Sequence, residues 1–147
     1  MKYLSLVISL SLTAFVFSFS TTSGDQSASL SLELSMQLKN FLENIIPAWE
    51  IHLDSLHIVI RKAAHILEFF ILGLSWYISF KLFKVRLSYL IFLGLLLPLI
   101  DEGIQVFSID RGPSIIDALL FDFPGFIVGS TILPAIYKKI FQQNAPN

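Results

Sequence analysis

The sequence predicts an all-α protein: a polytopic membrane helix bundle of four transmembrane helices, with an extracytoplasmic amphipathic helix between the first two. Three observations predict it. The 147-residue chain is 54% hydrophobic and only 14% charged, whereas a soluble domain has about a quarter of its residues charged, so it lacks the polar surface to cover a water-soluble globule. Four stretches approach the ~20 apolar residues that a hydrocarbon core of ~30 Å demands. The basic residues also gather on one side of those stretches. The length suits a single domain over residues 1–147. The chain has no cysteine, which excludes a disulfide framework, a thiol nucleophile and a cysteine zinc site. The expected partner is the lipid bilayer rather than nucleic acid.

The first span, about residues 3–20, is uncharged. Lys2 before it and Ser18-Phe19-Ser20 at its end also fit a cleavable signal peptide, which would leave three spans in the same orientation. Residues 21–60 form the extracytoplasmic segment. Thr21 to Ser29 is small and polar and reads as a loop. Leu30, Leu34, Leu38, Phe41, Leu42 and Ile45 then recur at helical spacing opposite Glu33, Lys39 and Glu43, until Pro47 ends the run. Such a helix either covers the top of the bundle or lies in the outer headgroup layer, with Trp49 as an interfacial anchor. His52 and His57 read as ordinary polar residues.

The second span, about 61–80, is apolar except at its start, where Lys62, His65 and Glu68 interrupt it. The third, about 87–105, is uncharged until Asp101 and Glu102. The fourth, about 115–137, carries Asp117 and Asp122 in its first half. Pro98, Pro124 and Pro134 kink helices or mark their ends. Gly125 and Gly129 form a G-x-x-x-G step, which reads as close helix packing.

Charge gives the orientation. Lys2, Lys81, Lys84, Arg86, Lys138 and Lys139 fall on one side of a four-span arrangement, and all 11 acidic residues fall elsewhere. Short loops rich in lysine and arginine stay in the cytoplasm, so both termini are expected inside. That orientation brings Lys62, His65, Glu68, Asp101, Glu102, Gln105, Arg111, Ser114 and Asp117 to one depth just below the outer surface, with Asp122 further in. His65 and Glu68 share a helix face, and Gln105 lies near the faces of both Asp101 and Glu102. Ionisable groups at membrane depth cost ~2.5 kcal/mol or more each and usually mark function. A buried ion-pair network that only locks the bundle is the structural alternative. In the set Lys62, Glu68, Asp101, Glu102, Arg111, Asp117 and Asp122 the acids outnumber the fixed cations, which calls for protonated carboxyls, a charged His65, a bound cation or a cationic substrate.

Lys62-x-x-His65-x-x-Glu68, Asp101-Glu102-x-x-Gln105, Arg111-x-x-Ser114-x-x-Asp117, and then Gly125 and Gly129, resemble the VanZ-like membrane proteins in order and spacing. The serine-rich segment with Gly24 after the first span resembles that family too. Two departures are Phe123-Pro124, where the family usually has a small or aliphatic residue, and Asp122, where many members have asparagine. The resemblance implies a multi-pass protein of the bacterial cytoplasmic (inner) membrane, in a family whose founding member is associated with resistance to the glycopeptide teicoplanin.

Several functions are compatible with these residues. The chain could act at the outer face, in glycopeptide resistance or envelope lipid handling, by binding a lipid-linked envelope precursor or a glycopeptide. It could be a membrane-embedded enzyme acting on a phosphate-bearing lipid, with His65 and Glu68 or Asp101 as general base and Arg111 with Lys62 neutralising the phosphate. No nucleophile motif such as G-x-S-x-G accompanies them. It could bind a metal through His65, Glu68, Asp101, Glu102 and Asp117, since imidazole and carboxylates suit several divalent ions. A proton-coupled transporter is disfavoured, because the charges stop in the outer half. The residues leave the identity of any cofactor open.

Overall fold

The computed structural model describes residues 1–48, 50–109, 112–132 and 134–136. Every regular element among them is helical: α1 (Lys2–Ser20), α2 (Gly24–Ile45), α3 (Leu53–Phe83), α4 (Tyr89–Gln105) and α5 (Ile115–Ile136). Helices α1, α3 and α5 are long and apolar enough to cross a membrane. Helix α4 has 17 residues, about 25 Å at 1.5 Å per residue.

Helix α3 is the axis of the bundle and is longer than expected. Its 31 residues reach about 46 Å, well beyond a hydrocarbon core of ~30 Å. It begins at Leu53 rather than near residue 61, because Leu53, Leu56, His57 and Ile60 recur along one partly covered face while Asp54 and Ser55 stay exposed. Its far end closes with Lys84 at φ 59°; Val85 N–H donates to the Phe80 carbonyl at 2.9 Å and Lys84 N–H to that of Lys81 at 3.3 Å. This is a glycine-type helix stop built with a lysine.

Helix α2 corrects the expected loop over Thr21–Ser29. Ser23 caps it, accepting from Gln26 N–H at 3.3 Å, and Gly24 N–H donates to the Ile109 carbonyl at 2.8 Å. The serine face of this helix, rather than its apolar stripe, is the packing face. Ser35 is fully buried, and the Ser31 hydroxyl meets His57 Nε2 at 2.7 Å. Leu30, Leu34, Phe41 and Ile45 point outward instead. At the far end Lys39 donates to the Ile51 carbonyl at 2.7 Å and pairs with Glu43 at 2.8 Å, and the ammonium holds the Glu43 carboxyl below its usual range. Trp49 lies outside the described residues.

Helix α1 runs antiparallel to α3, so Tyr3 meets the Phe83 ring edge to face and the Lys2 ammonium lies 5.6 Å from the same ring. Polar contacts inside this pair join Ser9 to Ser79 at 2.8 Å and Trp76 Nε1 to Thr13 at 3.1 Å. Hydrogen bonds between membrane helices contribute about 0.6 kcal/mol each. The small core joins Val16, Phe69, Leu72, Leu90, Leu97 and Phe126, and most other large apolar side chains face outward.

The glycine step makes the tightest contact. Gly125 lies against the Ile66 backbone and Gly129 against that of Phe70, while Gly73 receives the Phe126 carbonyl. The Phe126 ring fills the space beside Gly94 on α4. Pro124 has no N–H for the carbonyl four residues back, and its ring would strike that carbonyl. The helix widens to π geometry over Ala118–Asp122 just before it, and again over Val128–Ile132 ahead of Pro134. The expected end of the fourth span at Tyr137 lies outside the described residues.

Candidate functional site

Helices α3 and α5 run parallel, and α4 ends beside the start of both. The N-terminal half of α3, the last turn of α4 and the first turns of α5 therefore meet at the end opposite Lys2 and Phe83. A cleft of about 180 Å³ opens there, lined among others by Arg61, Lys62, His65, Glu102, Asp117 and Asp122.

Ser114 organises the α5 side. It is the N-cap, its hydroxyl accepting from Asp117 N–H at 3.2 Å, while its own N–H donates to Glu102 Oε2 at 2.6 Å. Glu102 is buried by this contact. Asp117 faces outward to Lys62, whose ammonium donates to Oδ1 at 3.1 Å and sits 4.1 Å from the Phe121 ring centre.

Deeper in, Asp101 is 1% exposed. It accepts from the Ser20 hydroxyl at the end of α1 and from Gln105 Nε2 at 2.9 Å. Ser108 completes this corner by donating to the Ser20 carbonyl at 2.6 Å. Asp122, also 1% exposed, lies 3.4 Å from His65 Nδ1, and neither of its oxygens has a hydrogen-bond partner among the described residues. One donor atom each from His65, Asp101 and Asp122 lies within 4.8 Å of the others.

The predicted residues thus separate into contacts of known partner. Lys62 meets Asp117, Gln105 meets Asp101, and Ser114 meets both Glu102 and Asp117. Glu68 lines a second cleft on the other side of α3, together with Phe19, Ser20, Ser31 and Leu34. Arg61 and His65 border both clefts. Arg111 lies outside the described residues. Of the candidate metal ligands, His65 and Asp101 stand in the compact group found among the described residues, while Asp117 turns to Lys62, Glu102 to Ser114, and Glu68 lines the second cleft. Asp122, left out of the expected site, takes their place because the π stretch ends on it. Ser20 and Arg61 were also missed. The signal for Ser20 was its depth, which matches that of Asp101; for Arg61 it was the helical spacing Arg61, His65, Glu68.

A sequence profile of the VanZ/LLP1 family matches residues 5–138. The chain belongs to the VanZ/LLP1 family. No curated protein and no solved structure matches it significantly. The region shared with VanZ/LLP1 proteins takes in all the helices that build the cleft, so in this VanZ/LLP1 member the cleft belongs to the family region and not to an appended segment.

Proposed function

We propose that the protein crosses the cytoplasmic membrane of a bacterium four times, with both termini inside, and uses its outward cleft to bind the phosphate-bearing headgroup of an envelope lipid. In this reading α4 is the fourth crossing, its 17 residues lying at the short end of the spanning range. The orientation draws support from Lys2 lying beside Phe83, which gathers Lys2, Lys81, Lys84 and Arg86 at the end opposite the cleft, as cytoplasmic positive charge requires. The outward stripe of Leu30, Leu34, Phe41 and Ile45 suits a helix laid against the outer leaflet. Altered susceptibility to teicoplanin-type glycopeptides follows if the bound lipid is an envelope precursor.

One observation carries the headgroup reading: Arg61 and Lys62 stand over a polar cleft in an otherwise apolar bundle, and guanidinium and ammonium groups are the usual receptors for phosphate. Native mass spectrometry of the purified chain tests it. Polyprenyl phosphate or phosphatidylglycerol should be retained over diacylglycerol, and Lys62→Gln should lose that preference while cells expressing it lose any change in teicoplanin susceptibility. Equal retention of the phosphate-free lipid would sink the reading. A second reading, a membrane enzyme acting on the same lipid, draws on the His65–Asp122 contact, in which a carboxylate can orient an imidazole as general base; release of phosphate or of a lipid fragment on incubation would distinguish it.

A further inference from the structure

We infer that His65, Asp101 and Asp122 form a binding site for one divalent cation of the zinc type, held in a four-coordinate arrangement whose remaining position opens to the cleft. The ligands come from three helices, α3, α4 and α5, and their donor atoms lie within 4.8 Å of one another. The 3.4 Å between His65 Nδ1 and Asp122 Oδ1 matches one edge of a tetrahedron with metal–ligand bonds of about 2.1 Å, the usual length for zinc with imidazole or carboxylate, and a cation would draw Asp101 in from within 4.8 Å. Asp122 supplies the independent sign. Its carboxylate is 1% exposed, and apart from the approach of His65 neither oxygen has a hydrogen-bond partner among the described residues, although a buried unsatisfied acceptor is costly. Helix α5 nonetheless delivers it there, at the end of the first π stretch.

Charge balance points the same way. A protonated His65 neutralises one of the two buried carboxylates and leaves the other; a divalent cation with neutral imidazole neutralises both. Asp101 is already oriented for this task. The Ser20 hydroxyl and Gln105 Nε2 each take one lone pair of a different oxygen, leaving a second on each. Such outer hydrogen bonds fix the ligand orientation in metal sites. Imidazole with carboxylates favours zinc-like transition cations over magnesium or calcium, which prefer oxygen alone. The inference deepens the headgroup reading, since a cation below Arg61 and Lys62 adds a further phosphate contact, but it stands without it.

The test uses the full untagged chain in detergent, stripped with chelator and titrated with Zn²⁺ by calorimetry, with metal content measured after desalting. The expected result is one Zn²⁺ per chain for the wild type and for Asp54→Asn, a change at an exposed site on α3. Gln105→Leu should weaken binding by about 10–100-fold, and His65→Gln and Asp122→Asn by at least as much. Wild type without one bound Zn²⁺ per chain, or unchanged affinity in His65→Gln and Asp122→Asn, overturns the inference. If those variants do not elute as single species, the Co²⁺-loaded wild type decides: intense visible bands of four-coordinate cobalt support the site, and a weak six-coordinate spectrum overturns it. A chain that binds Zn²⁺ but shows no preference for phosphate lipids keeps the cation site and loses the headgroup reading. Preference for phosphate lipids without Zn²⁺ does the reverse.

Discussion

Gly125→Ala probes the contact on which the geometry of the cleft depends. A Cβ at this position would stand 2.5 Å from the Ile66 carbonyl oxygen and 3.2 Å from that residue's carbonyl carbon and Cα. Ordinary contact begins near 3.4 Å, so α3 and α5 must part by about 0.9 Å, and both surfaces are backbone that cannot rotate away. Overpacking of this kind costs about 1–3 kcal/mol, or a fall of about 2–12 °C in the unfolding midpoint at this chain length. Because Asp122 lies only one helical turn before Gly125, the same displacement draws it away from His65 and should weaken any ligand held between them. Thermal unfolding in detergent, followed by circular dichroism, gives the stability term. Gly103→Ala is the control: it sits in α4 with nothing within 4 Å of the added Cβ, so its midpoint should stay level or rise slightly, as alanine is the better helix former. A Gly125→Ala protein as stable as wild type, or a Gly103→Ala protein equally destabilised, would refute the close-packing argument.

Three further outcomes are expected. Ser20→Ala removes one of the donors to a buried carboxylate and should cost about 1–3 kcal/mol, read as a lowered unfolding midpoint; a value within about 0.5 kcal/mol of wild type contradicts the role given to Ser20. Lys84→Gly should raise stability by about 1 kcal/mol, since lysine at positive φ carries a steric cost that glycine escapes, and a loss of stability would show that the lysine side chain matters more than the turn. The cysteine-free background allows accessibility mapping: in intact cells Lys84→Cys should resist impermeant thiol reagents and Asp25→Cys should react, with the opposite pattern inverting the proposed orientation.

The parts of the structure legible in the sequence were those governed by helical period and by the order of the helices. The apolar lengths of α1 and α5, the apolar run within α3, the G-x-x-x-G contact of Gly125 and Gly129, and the approach of Lys62 to Asp117 and of His65 to Asp101 all follow from helical period and helix order. What was hidden depends on partners distant in sequence. Ser27 looked like a loop residue because small polar side chains favour turns, and Ser31 and Ser35 lay outside the apolar stripe of the expected helix, yet α3 gives them a face to pack against. The α3 start at Leu53 was masked by the same pairing, which covers Leu56 and His57. Asp122 was set aside because an amide often stands at its position in the family the residues resemble. Its inward placement rests on the widened turns before Pro124, which a fixed period of 3.6 residues does not encode. The contact of Ser20 with Asp101 joins helices far apart in the chain, and no local pattern announces it.

One consequence follows from Arg61 and His65 bordering two clefts at once. A side chain on a helix has one set of charges, whichever wall it faces. An anion drawn to one side of α3 pulls the guanidinium toward itself and partly cancels the field felt on the other side. Occupants of the two clefts therefore compete without touching, and by reciprocity each must weaken the other by the same free energy.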